Sequence, residues 1–509
     1  MVQQSEQLSP WCALIALLTA GVVIIDISIV NVSLPSIMSS LSLTQAQIAW
    51  IGTGYLLANV SFLSLAAEME RMWGLRKIFL WSVFSFLAAS LGCALSRGVL
   101  SIVLFRMVQG GASGFLMPVS MVMVKRSFPE DKLNQSMALF GSVIMLIPSV
   151  GPIAGGYLTE TLGWRAIFGI NLPIGAVIMI VAHLVLPFSS EEEDSSMDRL
   201  GSLLLFVGIG SLQYVLQQGQ SLEWMESDRI LFFALIALFA LPWFIIRTWH
   251  SDNPVFNLRL LRDPIKVLSC VVIGIVGYLF FGLLFLLPLF AQRAWHLSPI
   301  ENGWLYVPGS LAGAALSPII SLVMVRFGLG AVLTIGMGCV MYSLHWISHF
   351  SEYTPTGDVT TAFTWNRVGL SCFMIPLMSS GMRSKGTRDS MDMSGLLSLF
   401  RQLGGSVSYA LLTTRQNSFF HNHLDGASLP SLSFPHSMEK IQEWAYVFSF
   451  RDVVRETEIY TLLLIVPIAA FFWFQFRPNS GGSKERTKER FKGRSKETEI
   501  EIGNSESCV

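Results

Sequence analysis

The sequence predicts an all-α polytopic membrane protein with about fourteen transmembrane helices. Three observations predict it. Of the 509 residues 52% are hydrophobic and only 13% are charged, whereas soluble domains average about 25% charged. Mean hydropathy is +0.56. Apolar runs of roughly 20 residues, the length a bilayer core demands, recur along nearly the whole chain. Lipid offers no partner to an unpaired backbone, so each run must be helical.

The elements follow in order. Six spans are expected near 12–35, 46–66, 77–96, 100–124, 136–158 and 165–187. An interposed pair follows near 200–218 and 229–249. Six more lie near 266–290, 303–325, 331–350, 362–382, 394–414 and 458–476. This gives an N-terminal six-helix bundle (1–187), a pair with linker loops (188–264) and a C-terminal six-helix bundle (265–476). The last holds a long outer segment at 416–457. The tail 477–509 is basic, has no apolar periodicity, and is expected to be disordered or to lie on anionic lipid. The start, MVQQSEQLSPW, has no Lys or Arg before its apolar run. That run therefore reads as a retained span and not a signal peptide.

Basic residues orient the chain. Placing both termini in the cytoplasm puts Arg71, Arg76, Lys77, Lys125, Arg126, Lys132, Arg259, Arg262, Arg383, Lys385 and Arg388 in inner loops. The outer loop PSIMSSLSLTQA has no Lys or Arg. The acidic loop SSEEEDSSMDR dissents, but acids count little in this rule. Lys and Arg balance Asp and Glu, 34 against 34, so charge implies no nucleic-acid partner. Five of the six cysteines lie in apolar runs without a CxxC pair, which reads as neither disulfide nor zinc. No Walker loop, nucleophile elbow or zinc-protease motif occurs, and His421 and His423 lack further ligands at metal spacing. The expectation is a protein that is no enzyme and holds no metal or other cofactor.

Asp26, in VVIIDISIVNVSLP, is the first candidate for function. A charge at bilayer depth costs roughly 2.5–3.5 kcal/mol on insertion scales, and such a residue faces the bundle interior and is functional by default, with a structural polar contact to another helix as the alternative. Asn31 shares its helix. Arg106, in SIVLFRMVQGGASGF, is the second intramembrane charge, with Gln109 one turn on. It either pairs with a carboxylate or snorkels to the outer interface. Gly111 and Gly114 offer a small face for close helix approach. Gly151, Pro152, Gly155 and Gly156 combine a kink with close packing in the fifth span. Trp50 and Tyr55 are candidates to line a cavity, with packing as the alternative. Arg401, in SLFRQLGGSVSYAL, either meets a polar substrate group or caps a helix near the inner interface. Gly74, Arg76 and Lys77 lie in the short basic turn EMERMWGLRK, which taken alone is an inner-loop anchor.

Together these stretches resemble the major facilitator superfamily. More narrowly they are similar to the fourteen-span drug:proton antiporters and to the EmrB-type multidrug efflux subunit of Gram-negative bacteria. The carriers are DISIVNVSLP, AWIGTGYLLA, LFRMVQGGASGFLMP and VGPIAGGYLTETLGWRAIFGINLPIG. GIGSLQYVLQQGQSLEW, DNPVFNLRLLRDP and FRQLGGSVS support them further on. The resemblance implies a major facilitator fold, two six-helix bundles around a cavity that alternates its access. It implies that Asp26 and Arg106 match the family's proton-coupling acid and arginine. It implies that Gly151, Pro152, Gly155 and Gly156 match the antiporter motif, which controls the conformational switch. Partners by resemblance are lipophilic small molecules, protons, membrane lipid, a periplasmic adaptor and an outer-membrane channel, and the location is the inner membrane.

The sequence also departs from the family. Aligned on Gly74, Ala67 and Arg71 stand where the family has Gly and Asp, and Met72 where it has Arg. Arg76 and Lys77 remain, and Glu70 is the nearby acid. Ile147 stands where the antiporter motif has Gly, and the loop after the sixth span is acidic where the family's is basic. The expected function is proton-coupled multidrug efflux. A transporter of one metabolite, or a non-transporting scaffold built on 416–457, are the alternatives.

Overall fold

Helix starts follow their capping residues. The Ser9 hydroxyl accepts from the Trp11 N–H ahead of Pro10, whose missing donor costs nothing in the first turn. Thr44 with Gln47 and Ser298 with Glu301 form reciprocal capping boxes, and Asp263 caps ahead of Pro264. The computed structural model describes residues 8–187, 198–251, 254–383, 387–427 and 438–476. The centre of the acidic loop, 188–197, and the tail, 477–509, lie outside the described residues.

The helices are α1 (Pro10–Ser40), α2 (Gln45–Leu63), α3 (Ala66–Leu95), α4 (Val99–Arg126), α5 (Leu133–Leu162), α6 (Ala166–Gly169) and α7 (Asn171–Val185). Next come α8 (Arg199–Gln218) and α9 (Asp228–His250). The rest are α10 (Pro264–Ala294), α11 (Pro299–Phe327), α12 (Leu329–Ile347), α13 (Thr356–Gly381), α14 (Thr387–Ala427), α15 (Met438–Thr461) and α16 (Ile465–Phe476). Among the described residues ten segments are long and apolar enough to cross a membrane by length and composition. The other four hydrophobic runs fall on α2, α13 and α14, which are more polar, and on the end of α15 with α16, which is apolar but only 12 residues long. Large apolar side chains such as Leu104, Leu184, Phe239 and Val325 stand exposed around the bundle, as a lipid-facing surface requires. The chain is a multi-pass membrane protein.

Helices α1–α7 pack on one another, and α10–α16 do the same, with α8 and α9 paired beside α2 and α14. The start of α1 meets the ends of α4 and α7: Leu8 N–H donates to Arg126 O at 2.9 Å, and Cys12 Sγ lies 3.9 Å from Val185 O. This end carries the basic turns and is called the basic end below. The two groups pack along α5 and α11, and polar bonds also join them at the basic end. Lys125 Nζ donates to Met382 O at 2.8 Å and also to Ser390 Oγ. Ser394 Oγ donates to Pro118 O at 2.8 Å, and Ser379 donates to Asn134.

Two elements differ from the sequence expectation. The turn between the second and third spans is helical, and α3 bends at Gly74, whose φ of 74° favours glycine. The segment 416–457, expected as a long outer segment between two spans, is helix where it is described. Residues 416–427 extend α14, and 438–457 belong to α15. The physical reason is an amphipathic face. Tyr446, Phe450, Val453 and Val454 are buried at helical spacing, and Phe450 stacks on Phe290 of α10 at 4.1 Å. The polar face is laced by Arg415–Glu456, His423–Asp452 and His345–Glu458 pairs. The expected start of the last span at 458 is therefore inside a helix, and the break lies at Leu462–Leu464.

Candidate functional site

Asp26 is the seventeenth of the 31 residues of α1 and is fully buried. Arg106 of α4, 2% exposed, donates from Nη1 to Asp26 Oδ2 at 2.6 Å. Gln109, one turn along α4, donates from Nε2 to Asp26 Oδ1 at 2.9 Å and to Ser90 Oγ of α3 at 2.7 Å. Its Oε1 accepts from Arg106 Nη1 at 2.8 Å. Asn171, the first residue of α7, donates from Nδ2 to the same Asp26 Oδ1 at 2.8 Å. Three helices, α1, α4 and α7, therefore meet at one carboxylate, and Ser90 of α3 holds the two amides that donate to it.

Local structure explains the convergence. Gly110 and Gly114 of α4 lie so close to α2 that a Cβ on either would strike the Tyr55 or Asn59 carbonyl. That approach slides the Tyr55 ring beneath Arg106, with the guanidinium 4.0 Å from the ring centroid. Asn171 follows Ile170, whose backbone stays helical, so α6 and α7 form one apolar segment from Ala166 to Val185 that carries the Asn171 amide to Asp26. A buried ion pair of this kind is seldom a net source of stability, because desolvating two charges offsets their attraction. Removing one partner is costly, about 3–5 kcal/mol, since it strands the other charge. Such a group can act as a switch if something neutralises the acid.

The Gly-Pro motif of α5 lies between α1 and α11. A Cβ on Gly151 would strike Ser28, and one on Gly155 would come within 2.9 Å of Ile29 Cγ1, both on α1. On its other side Gly156 faces Ile300, and a Cβ on Gly303 of α11 would lie 3.2 Å from Pro152 Cβ. Further along the α5–α11 seam, Ser142 Oγ donates to Ala314 O at 3.2 Å. The glycines thus occupy the seam between the two helix groups, next to the helix that carries Asp26.

The basic turn is anchored on both sides of Gly74. Arg76 is buried and donates to His183 O at 2.7 Å and to Leu186 O at 2.5 Å, tying α3 to the end of α7. Arg71 donates to Pro254 O at 2.9 Å and Val255 O at 2.5 Å, tying α3 to the linker before α10. Glu70 lies 3.4 Å from Arg126. Lys77 is exposed.

The remaining candidates are spread through the molecule. Tyr55 and Gln109 are fully buried in the Asp26 network, away from open space. Asn31 is exposed on α1. Trp50 is 36% exposed and its ring lies 6.1 Å from that of Tyr214 on α8. Arg401 is buried on α14, 5.7 Å from the Phe281 ring. Sequence reasoning passed over Asn171 and Ser90. The signal for Asn171 was an amide inside the apolar run AIFGINLPIGAV, directly before a Pro-containing helix start.

The chain matches the family model of the Major Facilitator Superfamily over residues 16–409. It is 28% identical to the multidrug export protein EmrB of Escherichia coli (strain K12), over 77% of each chain. It is also 28% identical to a multidrug resistance protein B homolog of Mycobacterium tuberculosis (strain H37Rv), over 78% of this chain and 75% of that one. Its fold is similar to the solved structure of the proton:xylose symporter XylE, with a TM-score of 0.59 and 12% identity over 88% of this chain and 94% of that one. The helical architecture, the Gly-Pro seam and these likenesses agree: the chain belongs to the major facilitator superfamily.

Proposed function

We propose that this transporter exports lipophilic or amphipathic compounds in exchange for protons, by alternating access between the groups α1–α7 and α10–α16. The observation that carries the reading is Asp26, a fully buried carboxylate held by Arg106, Gln109 and Asn171. An ionisable residue inside a span is rare, and the three donors that hold Asp26 mark it as a functional site by default. The similarity to multidrug export proteins supports the cargo class.

Export and proton entry alternate in this mechanism. A proton taken up from the far side neutralises Asp26 and releases Arg106, Gln109 and Asn171 from the anion. The freed network lets α1 shift against α5 at Gly151 and Gly155, and the groups rock about the α5–α11 seam. Proton release toward the basic end restores the ion pair. Coupling exists only where the two states hold the carboxylate differently, since a group treated alike in both shifts nothing.

The reading places the basic end in the cytoplasm and the protein in the inner membrane, driven by the proton gradient without a cofactor. It includes a periplasmic adaptor and an outer-membrane channel on the far side. There α14, with 41 residues and a length of about 61 Å, outruns a bilayer core of about 30 Å. The test is compound accumulation in an efflux-deficient host. Expression should lower the accumulation of lipophilic dyes, and a protonophore should restore it. Accumulation unchanged by expression, or lowered equally without a proton gradient, contradicts the reading.

A further inference from the structure

The two helix groups repeat one plan, as facilitator halves related by an axis along the membrane normal do. The stretch LTQAQIAW opens α2 and LSPIENGW opens α11, each with a capping box and with Trp50 or Trp304 at its end. Pro35 in α1 has Pro288 in α10 as its counterpart, and Pro118 in α4 has Pro376 in α13. Asp26 lies nine residues before Pro35. Nine residues before Pro288 stands Leu279, followed by Phe280. The second group therefore has an apolar pair in the place of the acid.

It carries an arginine of its own, nine residues before Pro376, where Gln109 stands before Pro118. Arg367 of α13 is 1% exposed. Its guanidinium lies 4.5 Å from the Phe280 ring and 4.4 Å from the Phe363 ring. Among the described residues no carboxylate of this chain lies within ion-pair distance of it, and its Nε and Nη1 have no hydrogen-bond partner. The neighbouring Asn366 likewise buries both of its amide atoms without a partner. Two ring faces attract a guanidinium but fill none of its donors, and a buried charge without a counter-ion is costly. Arg106, by contrast, lies on the Tyr55 ring and also has Asp26.

The cage borders the moving seam. Tyr306 of α11 lays its ring on Phe363 at 4.7 Å, while its carbonyl oxygen accepts from Ser149 of α5 at 3.5 Å. Rocking of α5 against α11 shifts one wall of the cage. We propose that Arg367 is the binding point for the carboxylate of an anionic amphiphile, whose apolar body lies against Phe280 and Phe363. The guanidinium presents paired N–H groups in the geometry that a carboxylate accepts. Binding stands on these residues alone. That the bound compound is cargo rests on the export reading.

The test uses three probes with one tail and different heads, namely decanoate, decanol and decyltrimethylammonium, titrated into the purified full-length protein. Wild type should bind decanoate about tenfold to a hundredfold more tightly than decanol, as charge-assisted hydrogen bonds imply. Decyltrimethylammonium should bind no better than decanol. Arg367→Met should close the gap between decanoate and decanol, and Arg367→Lys should retain part of it. No gap in wild type, or an undiminished gap in Arg367→Met, overturns the proposal. If Arg367→Met does not fold, a diazirine-bearing decanoate on wild type decides. Labelling on α13 beside Arg367 or on α10 at Phe280 supports the site, and labelling confined to other helices overturns it. Because binding is read without transport, loss of the export reading leaves this result standing, and the reverse also holds.

Discussion

Asp26 accepts from one guanidinium and two amides, and each donor comes from a different point along the chain. A hydrogen bond to a charged group contributes about 1.5–3 kcal/mol. Asn171→Leu should therefore destabilise the purified protein by about that amount in thermal unfolding. In an Asp26→Asn background the same change should cost much less, giving a coupling of about 1–3 kcal/mol in a double-mutant cycle. Equal losses in both backgrounds would mean that Asn171 acts through packing alone. At this scale the sequence was partly legible. Asp26 and Arg106 stood out because a charge in an apolar run has few innocent explanations. Asn171 and Ser90 did not, because a lone polar residue in a helix is common and its aim depends on how the helices pack. Arg367 was open to the argument that found Arg106, since it too is a single charge inside an expected span, 362–382.

At the scale of elements, the glycines of α5 fix how closely α1 and α11 approach. Gly155→Leu should push α5 off α1, with an overpacking cost of about 1–3 kcal/mol. Transport should be lost while folded protein is still recovered from the membrane. Gly52→Ala of α2, where an added Cβ meets nothing within 4 Å, should be neutral to within about 0.5 kcal/mol and should transport normally. Loss of transport in both variants would remove the seam from the account. Helix existence was legible nearly everywhere, because apolar length demands it. The segment 416–457 was the exception. Its charged residues masked an amphipathic helix whose apolar face becomes visible only against Phe290 of α10.

At the scale of the molecule, the two helix groups are pinned together at the basic end. Lys125 of α4 reaches Met382 at the end of α13 and Ser390 near the start of α14. Cysteines at positions 125 and 390, joined by a short bifunctional maleimide in a background free of other cysteines, should stop transport. A crosslinker long enough to follow the rocking motion should leave much of it. Full transport with the short link would show that this end does not open. The repeat of α1, α2 and α4 in α10, α11 and α13 is faint in sequence, since it survives mainly in helix caps and prolines. Those are the positions that backbone geometry constrains, and the side chains between them have diverged into an acid–arginine pair on one side and an arginine–aromatic cage on the other.

In the proposed exchange, proton movement and cargo movement meet at Asp26. Proteoliposomes holding purified protein, with a lipophilic dye on one side and an imposed pH gradient, test it most directly. Wild type should move dye against its concentration gradient only while the pH gradient lasts. Asp26→Asn, reconstituted in equal amount, should lose that gradient-driven component by at least about tenfold, a change of 1.4 kcal/mol or more. Undiminished, gradient-dependent dye movement by Asp26→Asn would show that proton coupling does not run through Asp26.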